Sequence, residues 1–312
     1  MAVDPRDRAG PAERAVTGEQ ILVGYDGSPD AAFALKWALD EASRSGRPVR
    51  LAYVFEWLTV VGWLGPGVAP GAWPDETARR EVEELVRRAA AEAAAAHPDL
   101  DVTGEVFDGP PALVLQEHSA QAALLVLGSR GHGGFGGLLA GSTAVAVTAH
   151  AHCPVVVLRT PSETAPAAPS DGPVVVGVDG SDVSLAALGF AVERAAQRRV
   201  PLRVIRAWSP PEPPWRGPGG GAATDADEAT AAERDAVNGS LAPWRQSFPE
   251  LAISVEVAAG GPASLLVEAS RGAQLVAVGS RGRGGLRGML LGSVSQQLIQ
   301  HALCPVAVVR ER

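Results

Sequence analysis

Two tandem copies of one α/β domain, each a doubly wound parallel five-stranded sheet with helices on both faces, are what this sequence predicts. Three observations predict it. The chain repeats itself: Val23–Ser28 reads VGYDGS and Val176–Ser181 reads VGVDGS, GSRG stands at Gly128–Gly131 and again at Gly279–Gly282, and His150-Ala-His-Cys-Pro answers His301-Ala-Leu-Cys-Pro. Within each copy, short apolar runs alternate with stretches of helical period, the pattern of a parallel sheet with right-handed crossovers. Glycine-bearing turns follow the first and fourth apolar runs, and in such sheets ligands sit at the carboxyl ends of strands where the strand order reverses.

The elements of the first copy follow in order. Ile21–Tyr25 is a short apolar run bounded by turn residues, hence a buried strand. Ser28, Pro29 and Asp30 supply an N-cap, a proline at the first helical position and an acid in the first turn. Leu35, Ala38, Leu39 and Ala42 form the apolar stripe of that helix, and Gly46 ends it. Val49–Phe55 is a second strand. Ala78, Val82, Leu85, Val86 and Ala89 mark a long second helix, with Glu83–Arg87 and Glu84–Arg88 as supporting pairs on its wet face. Val102–Phe107 is a strand, Ala112–Ser119 a helix, Leu124–Leu127 a strand, Ser142–His150 a short helix and Val155–Leu158 the closing strand. The second copy keeps this order. The offset between copies is 153 residues at Asp26 and Asp179 but 151 at Gly128 and Gly279, so two residues are lost between these landmarks, in a loop.

The segment from Thr160 to Gly172, TPSETAPAAPSDG, has no apolar period and the composition of a linker. The expected organisation is a disordered tail at 1–18, a first domain at 19–159, a linker at 160–172 and a second domain at 173–312. The tail is polar and lacks the apolar stretch of a secretory signal. The longest uncharged stretch, Trp57–Trp73, is broken by glycines and prolines and reads as an apolar loop rather than a membrane span. A net charge of −8 argues against a general binder of nucleic acid or anionic membrane, which needs a basic surface. Lys36 is the only lysine, and no G-x4-G-K-S/T phosphate loop occurs.

The segment after the fourth strand carries the most chemistry. Gly128, Gly131, Gly141 and Ser142 in the first copy have the same spacing as Gly279, Gly282, Gly292 and Ser293 in the second. Glycine lets backbone amides approach a phosphate closely. The serine is expected to cap the next helix, whose N-terminus offers free N–H groups and a favourable dipole to an anion. Ser293 with Gln296 also fits a capping box. One such loop is weak evidence, since a flexible glycine turn explains it as well. Two copies with one spacing, each preceded by a strand and followed by a helix, are much stronger. Asp26 and Asp179, each before a glycine, read singly as ordinary turn aspartates. Their repetition beside the glycine loop favours a binding role.

On these residues the chain resembles the universal stress protein family over nearly all of its length outside the tail and linker. ATP-binding members of that family carry the signature G-x2-G-x9-G-S/T, matched here twice, and an aspartate in the first strand-to-helix turn, matched by Asp26 and Asp179. The resemblance implies ATP, with Mg as an accompanying ion. Gly128, Gly131, Gly141, Ser142 and Thr143 would hold phosphate and ribose in the first copy, and Gly279, Gly282, Gly292, Ser293 and Val294 in the second. Asp26 and Asp179 would lie near the adenosine. The small apolar residue that the family's second strand offers to adenine is Val54 in the first copy and the smaller Ala207 in the second. Arg130 and Arg281 either face phosphate or stand in solvent.

Other features carry less. His150, His152 and Cys153 suggest metal ligands, but the second copy has Leu303 in place of the middle histidine and no further cluster completes a zinc set. A histidine at a helix C-terminus is explained by the dipole. Cys153 and Cys304 read as small buried residues at strand starts. His132 sits inside the glycine loop where the second copy has Arg283, a surface position with no acid–base role. The loops after the second strands, with Trp57, Trp63 and Trp73 in one copy and Trp215 within Ser209–Ala223 in the other, read as local packing, lids or partner surfaces.

The function expected is a cytoplasmic, ATP-binding regulator of stress response or growth arrest without strong catalytic activity and with an unknown protein partner. The alternative is a slow ATPase or a nucleotidyl-transfer enzyme on the same fold; the HxGH and SGGxDS motifs of such enzymes are absent. A third reading, a scaffold that has lost its ligand, is opposed by the two glycine loops. The closing strands Val155–Leu158 and Val306–Val309 are sheet edges that need cover. The resemblance implies that they pair, in a homodimer or an internal pseudo-dimer.

Overall fold

The computed structural model describes residues 19–56, 76–131, 140–161, 169, 171–208, 222–284 and 291–310. The N-terminal tail, Trp57, Trp63, Trp73, His132, Trp215 and most of the linker lie outside the described residues. The chain divides into two compact units, with the division between residues 164 and 165.

In the first unit the strands are β1 (Gln20–Gly24), β2 (Val49–Phe55), β3 (Val102–Asp108), β4 (Ala122–Gly128) and β5 (Val155–Leu158). The helices are α1 (Pro29–Ser45), α2 (Glu76–Ala96), α3 (Pro111–Ser119) and α4 (Ser142–His150). All pairings are parallel, in the order β3-β2-β1-β4-β5. The second unit has β6 (Val174–Gly177), β7 (Leu202–Trp208), β8 (Ile253–Ala259), β9 (Leu275–Gly279) and β10 (Val306–Val309). Its helices are α5 (Asp182–Arg198), α6 (Ala222–Ser247), α7 (Pro262–Ala269) and α8 (Ser293–His301), and its order is β8-β7-β6-β9-β10, again parallel. These are the doubly wound, Rossmann-like sheets that the alternating pattern implies. The strand order reverses between β1 and β4, and between β6 and β9, so the two glycine-bearing turns of each unit are neighbours.

Local sequence explains most boundaries. Ser28 has extended backbone and its Oγ accepts from Ala31 N at 3.2 Å, while Gly46 stops α1 in the left-handed conformation at φ 66°. Leu35, Ala38, Leu39 and Ala42 are buried as a stripe. In α5, Ser181 caps in the same way through Ser184 N at 3.3 Å. The central strand β4, AALLVLG, is buried along its first six residues because helices cover a parallel sheet on both faces. The outer strand β3, VTGEVFD, alternates less and stays largely exposed. On α2 the expected Glu83–Arg87 pair is replaced, and the expected Glu84–Arg88 pair is long. Glu84 lies 4.0 Å from Arg88 but hydrogen-bonds Arg87 Nε at 3.1 Å, and Glu83 takes Arg79 at 3.0 Å. Arg79 is held there because its guanidinium also reaches Asp108 on β3 at 2.8 Å. The two-residue shortening of the second copy falls between the second and third strands, where the offset changes from 153 (Val49, Leu202) to 151 (Val102, Ile253).

Candidate functional site

The site begins at the turn after the first strand. Gly27 and Gly180 adopt φ of 81° and 78°, where a side chain is strained. Asp26 Oδ1 accepts from Ser28 N at 2.9 Å, and Asp179 Oδ1 accepts from Ser181 N at 3.0 Å. The other carboxylate oxygen faces the second glycine of the loop. A Cβ built at Gly131 would overlap Asp26 Oδ2, and one at Gly282 would overlap Asp179 Oδ2. In the second unit Asp179 Oδ2 also accepts from Arg283 N at 2.8 Å. The aspartates therefore brace the glycine loop.

The first glycine has a packing role. A Cβ on Gly128 would stand 2.8 Å from Asp30 C and 2.9 Å from Ala31 N, both backbone atoms of α1. Gly279 meets Val183 and Arg281 in the same way. Asp30 is 4% exposed and binds this turn: it accepts from Ser129 Oγ at 2.8 Å, Arg130 N at 3.1 Å and Thr160 N at 3.0 Å, with Arg130 Nε at 3.5 Å. Sequence reading saw Asp30 only as an acid in a first helical turn. The repeated serine of GSRG, Ser129 and Ser280, is 2% exposed in both units and was also missed; its recurrence in both copies was the available signal.

The third glycine, not the serine after it, occupies the N-cap. Gly141 and Gly292 have extended backbone, no side-chain cap bond is formed, and their amides donate to Ser129 O at 2.7 Å and Ser280 O at 2.8 Å. Ser142 and Ser293 are thus first helical residues. The capping box at Ser293 and Gln296 does not form, because the cap lies one residue earlier and the third helical residue is Ser295. Its Oγ lies 2.9 Å from Gly292 O. The amides left without intrahelical acceptors are those of Ser142, Thr143 and Ala144, and of Ser293, Val294 and Ser295. These first-turn amides are the backbone donors that the helix start offers to the cleft, while the Gly141 and Gly292 amides are already bonded within the loop.

A cleft of about 530 Å³ in the first unit is lined by Asp26, Val54, Gly128, Gly131, Gly141, Ser142 and Thr143. A cleft of about 430 Å³ in the second is lined by Asp179, Ala207, Gly279, Gly282, Gly292, Ser293 and Val294. Each residue that the resemblance assigns to the nucleotide lines the cleft of its own unit. The apolar ends contain partners that sequence reading missed: Ala52 and Leu115 in the first, Ile205 and Leu266 in the second. A Cβ on Gly24 would overlap Leu127 and crowd Leu115, and one on Gly177 would overlap Leu266. A flat apolar group suits one end of each cleft and an anion the other.

The set-aside residues have structural partners. His150 Nδ1 lies 2.9 Å from Ala146 O, and His152 N donates to Ser119 Oγ at 2.8 Å. Cys153 and Cys304 are buried free thiols, and burial pushes the Cys304 thiol up to about 12. Among the described residues no cluster of three His, Cys, Asp or Glu side chains could hold a metal, and no helix is long and apolar enough to cross a membrane.

Burial alone would raise the Asp30 and Asp179 carboxyls. Hydrogen bonds from Thr160 and Ser129, with the Arg130 charge, outweigh it at Asp30; those from Ser181, Arg283 and Ser184 outweigh it at Asp179. Both carboxyls are held below the ordinary range, so each binds protons more weakly folded than unfolded. Their stabilisation is whole above the ordinary carboxylate value and is lost as pH falls from there through the lower folded values. The urea midpoint is expected to fall with acid over this window, and more gently in the double variant Asp30→Asn, Asp179→Asn. An unchanged acid slope in that variant would assign the acid sensitivity to other groups.

A sequence profile described as the universal stress protein family matches residues 18–159 and 172–310. The chain is similar to two universal stress proteins of Mycobacterium tuberculosis. One is 36% identical over 294 residues, covering 93% of this chain and 96% of that protein. The other is 36% identical over 295 residues, covering 93% and 97%. A universal stress protein structure from Archaeoglobus fulgidus aligns with a TM-score of 0.65 at 19% identity, covering 94% of this chain and 98% of that one. A Pseudomonas aeruginosa structure aligns at 0.62 and 19% identity, covering 94% and 93%. These structures share the fold.

Proposed function

The chain belongs to the universal stress protein family, and from that premise we propose that each of its two clefts binds ATP. The triphosphate lies over the first turn of α4 or α8, held by the amides of residues 142–144 or 293–295. Adenine lies against the ends of β2 or β7, beside Val54 or Ala207. Asp26 and Asp179 stand near the adenosine, and Mg accompanies the phosphates. The protein is a cytoplasmic, nucleotide-dependent regulator of stress response or growth arrest, with at most weak ATP hydrolysis.

One observation carries this reading. In both units the seven positions singled out by motif converge on one cleft, with unpartnered helix amides at one end and apolar side chains at the other. The test is the nucleotide content and binding stoichiometry of the whole chain, alone and with Gly131→Ala or Gly282→Ala. Each alanine displaces an aspartate oxygen from the loop. The wild type is expected to bind two ATP per chain, and each variant to lose roughly tenfold in affinity at its own site, which corresponds to about 1.4 kcal/mol. Unchanged stoichiometry and affinity in both variants would sink the reading. A slow hydrolase is the second possibility, favoured by turnover of the bound ATP.

A further inference from the structure

The two clefts are built alike but charged differently, and a buried position beneath the glycine turn contributes to the difference. Asp30 of the first copy corresponds to Val183 of the second. Asp30 is buried beneath the glycine turn and forms an ion pair with Arg130 at 3.5 Å. Arg281, the counterpart of Arg130, has Val183 at that place instead, and no described carboxylate lies within ion-pair distance of it. Arg283 adds a second guanidinium, set over the Gly180 turn with Nη2 3.2 Å from where a Cβ would stand. Among the described lining residues, the first cleft has two acids, Asp26 and Glu56, and one arginine, Arg130. The second has one acid, Asp179, and two arginines, Arg281 and Arg283.

A further sign of excess positive charge comes from the strand ends behind the turns. Arg159 feels burial and the Arg130 charge, eased by Asp30. Arg310, its counterpart, feels burial and the Arg281 charge. Arg281 and Arg283 both line the second cleft, and two like charges there favour an anion that brings more than one negative charge.

Resting on the nucleotide reading above, we infer that the two clefts discriminate by phosphate charge. The second cleft favours a nucleoside triphosphate over the monophosphate by a wider margin than the first, and the Asp30/Val183 exchange sets much of that margin. The first cleft, with its arginine already neutralised, accepts the monophosphate on more equal terms.

The test titrates the full chain with ATP and with AMP by calorimetry, reading one site at a time. The other site is closed by an acidic N-cap, Gly141→Asp or Gly292→Asp, which puts a charge in the anion seat and keeps a good helix cap. The ratio of ATP to AMP affinity is expected to be about tenfold larger at the second site than at the first, and to narrow with added salt. Val183→Asp, which copies the first cleft into the second, is expected to lower ATP affinity there about fivefold and change AMP affinity less than about twofold. Asp30→Val should move the first site the opposite way; if that variant unfolds, Val183→Asp carries the comparison alone. Equal ratios at the two sites, with both nucleotides bound, would overturn this inference and leave the nucleotide reading standing. Failure of both nucleotides at both sites would overturn the nucleotide reading, and this inference with it.

Discussion

Gly128→Ala is expected to destabilise the first domain by about 3 kcal/mol, the upper end of what overpacking costs. The new methyl has nowhere to go. It would lie 2.8 Å and 2.9 Å from backbone atoms of Asp30 and Ala31, and backbone cannot rotate aside as a side-chain tip can. Relief requires α1 to move off β4, which disturbs the bonds from Asp30 to Ser129, Arg130 and Thr160. In a domain of this size the loss corresponds to roughly 10 °C in Tm. Gly239→Ala is the matched control. Gly239 lies inside α6 with nothing within 4 Å, so alanine there is expected to stabilise by about 1 kcal/mol through helix propensity. Urea and thermal unfolding of the two variants measure both effects. A Gly128→Ala protein within about 0.5 kcal/mol of wild type would show that α1 yields easily and that the first glycine has no packing role.

The second large effect is on ligand binding. The double variant Gly141→Asp, Gly292→Asp is expected to lose ATP affinity by about 100-fold or more at each site. Two charges about 4 Å apart interact by about 4 kcal/mol at an effective dielectric of 20, and a triphosphate presents several charges, so even heavily screened repulsion reaches this size. The fold should survive. Both glycines have ordinary extended backbone (φ −73° and −72°), aspartate is a favoured N-cap residue, and the nearest atoms to an added Cβ stand 3.4 Å away. Asparagine at the same positions separates charge from bulk, and should bind ATP far better than aspartate does. ATP binding within about threefold of wild type in the aspartate variant would place the phosphate seat somewhere other than the α4 and α8 N-termini.

What was legible in the sequence was mostly local. The Ser28–Pro29 start of α1 and its Gly46 stop are decided by residues within one turn, so pattern reading found both. Alternation implied parallel sheets with right-handed crossovers but not the order of their strands; the observed order makes the turns after β1 and β4 neighbours. The helix cap after the glycine loop was misplaced by one residue. Serine is the commoner cap by propensity, but the carbonyl of Ser129 draws in the Gly141 amide and fixes the cap there. Asp30 was half understood, because its partner Ser129 lies 99 positions away. Leu115 and Leu266 were missed for a related reason: an amphipathic helix pattern does not reveal which apolar residue will meet a glycine on a distant strand end.

The division of labour among the loop glycines changes how this motif should be used on other chains. Gly128 is demanded by the contact between β4 and α1, whatever the cleft contains. A related chain whose cleft held no ligand would still be under pressure to keep that glycine, whereas the third glycine and the small hydroxyl residue behind it would be released to drift. Survival of the opening GSRG is then a mark of a sound scaffold. Occupancy should instead be judged at the helix start, where substitution endangers the guest more than the house.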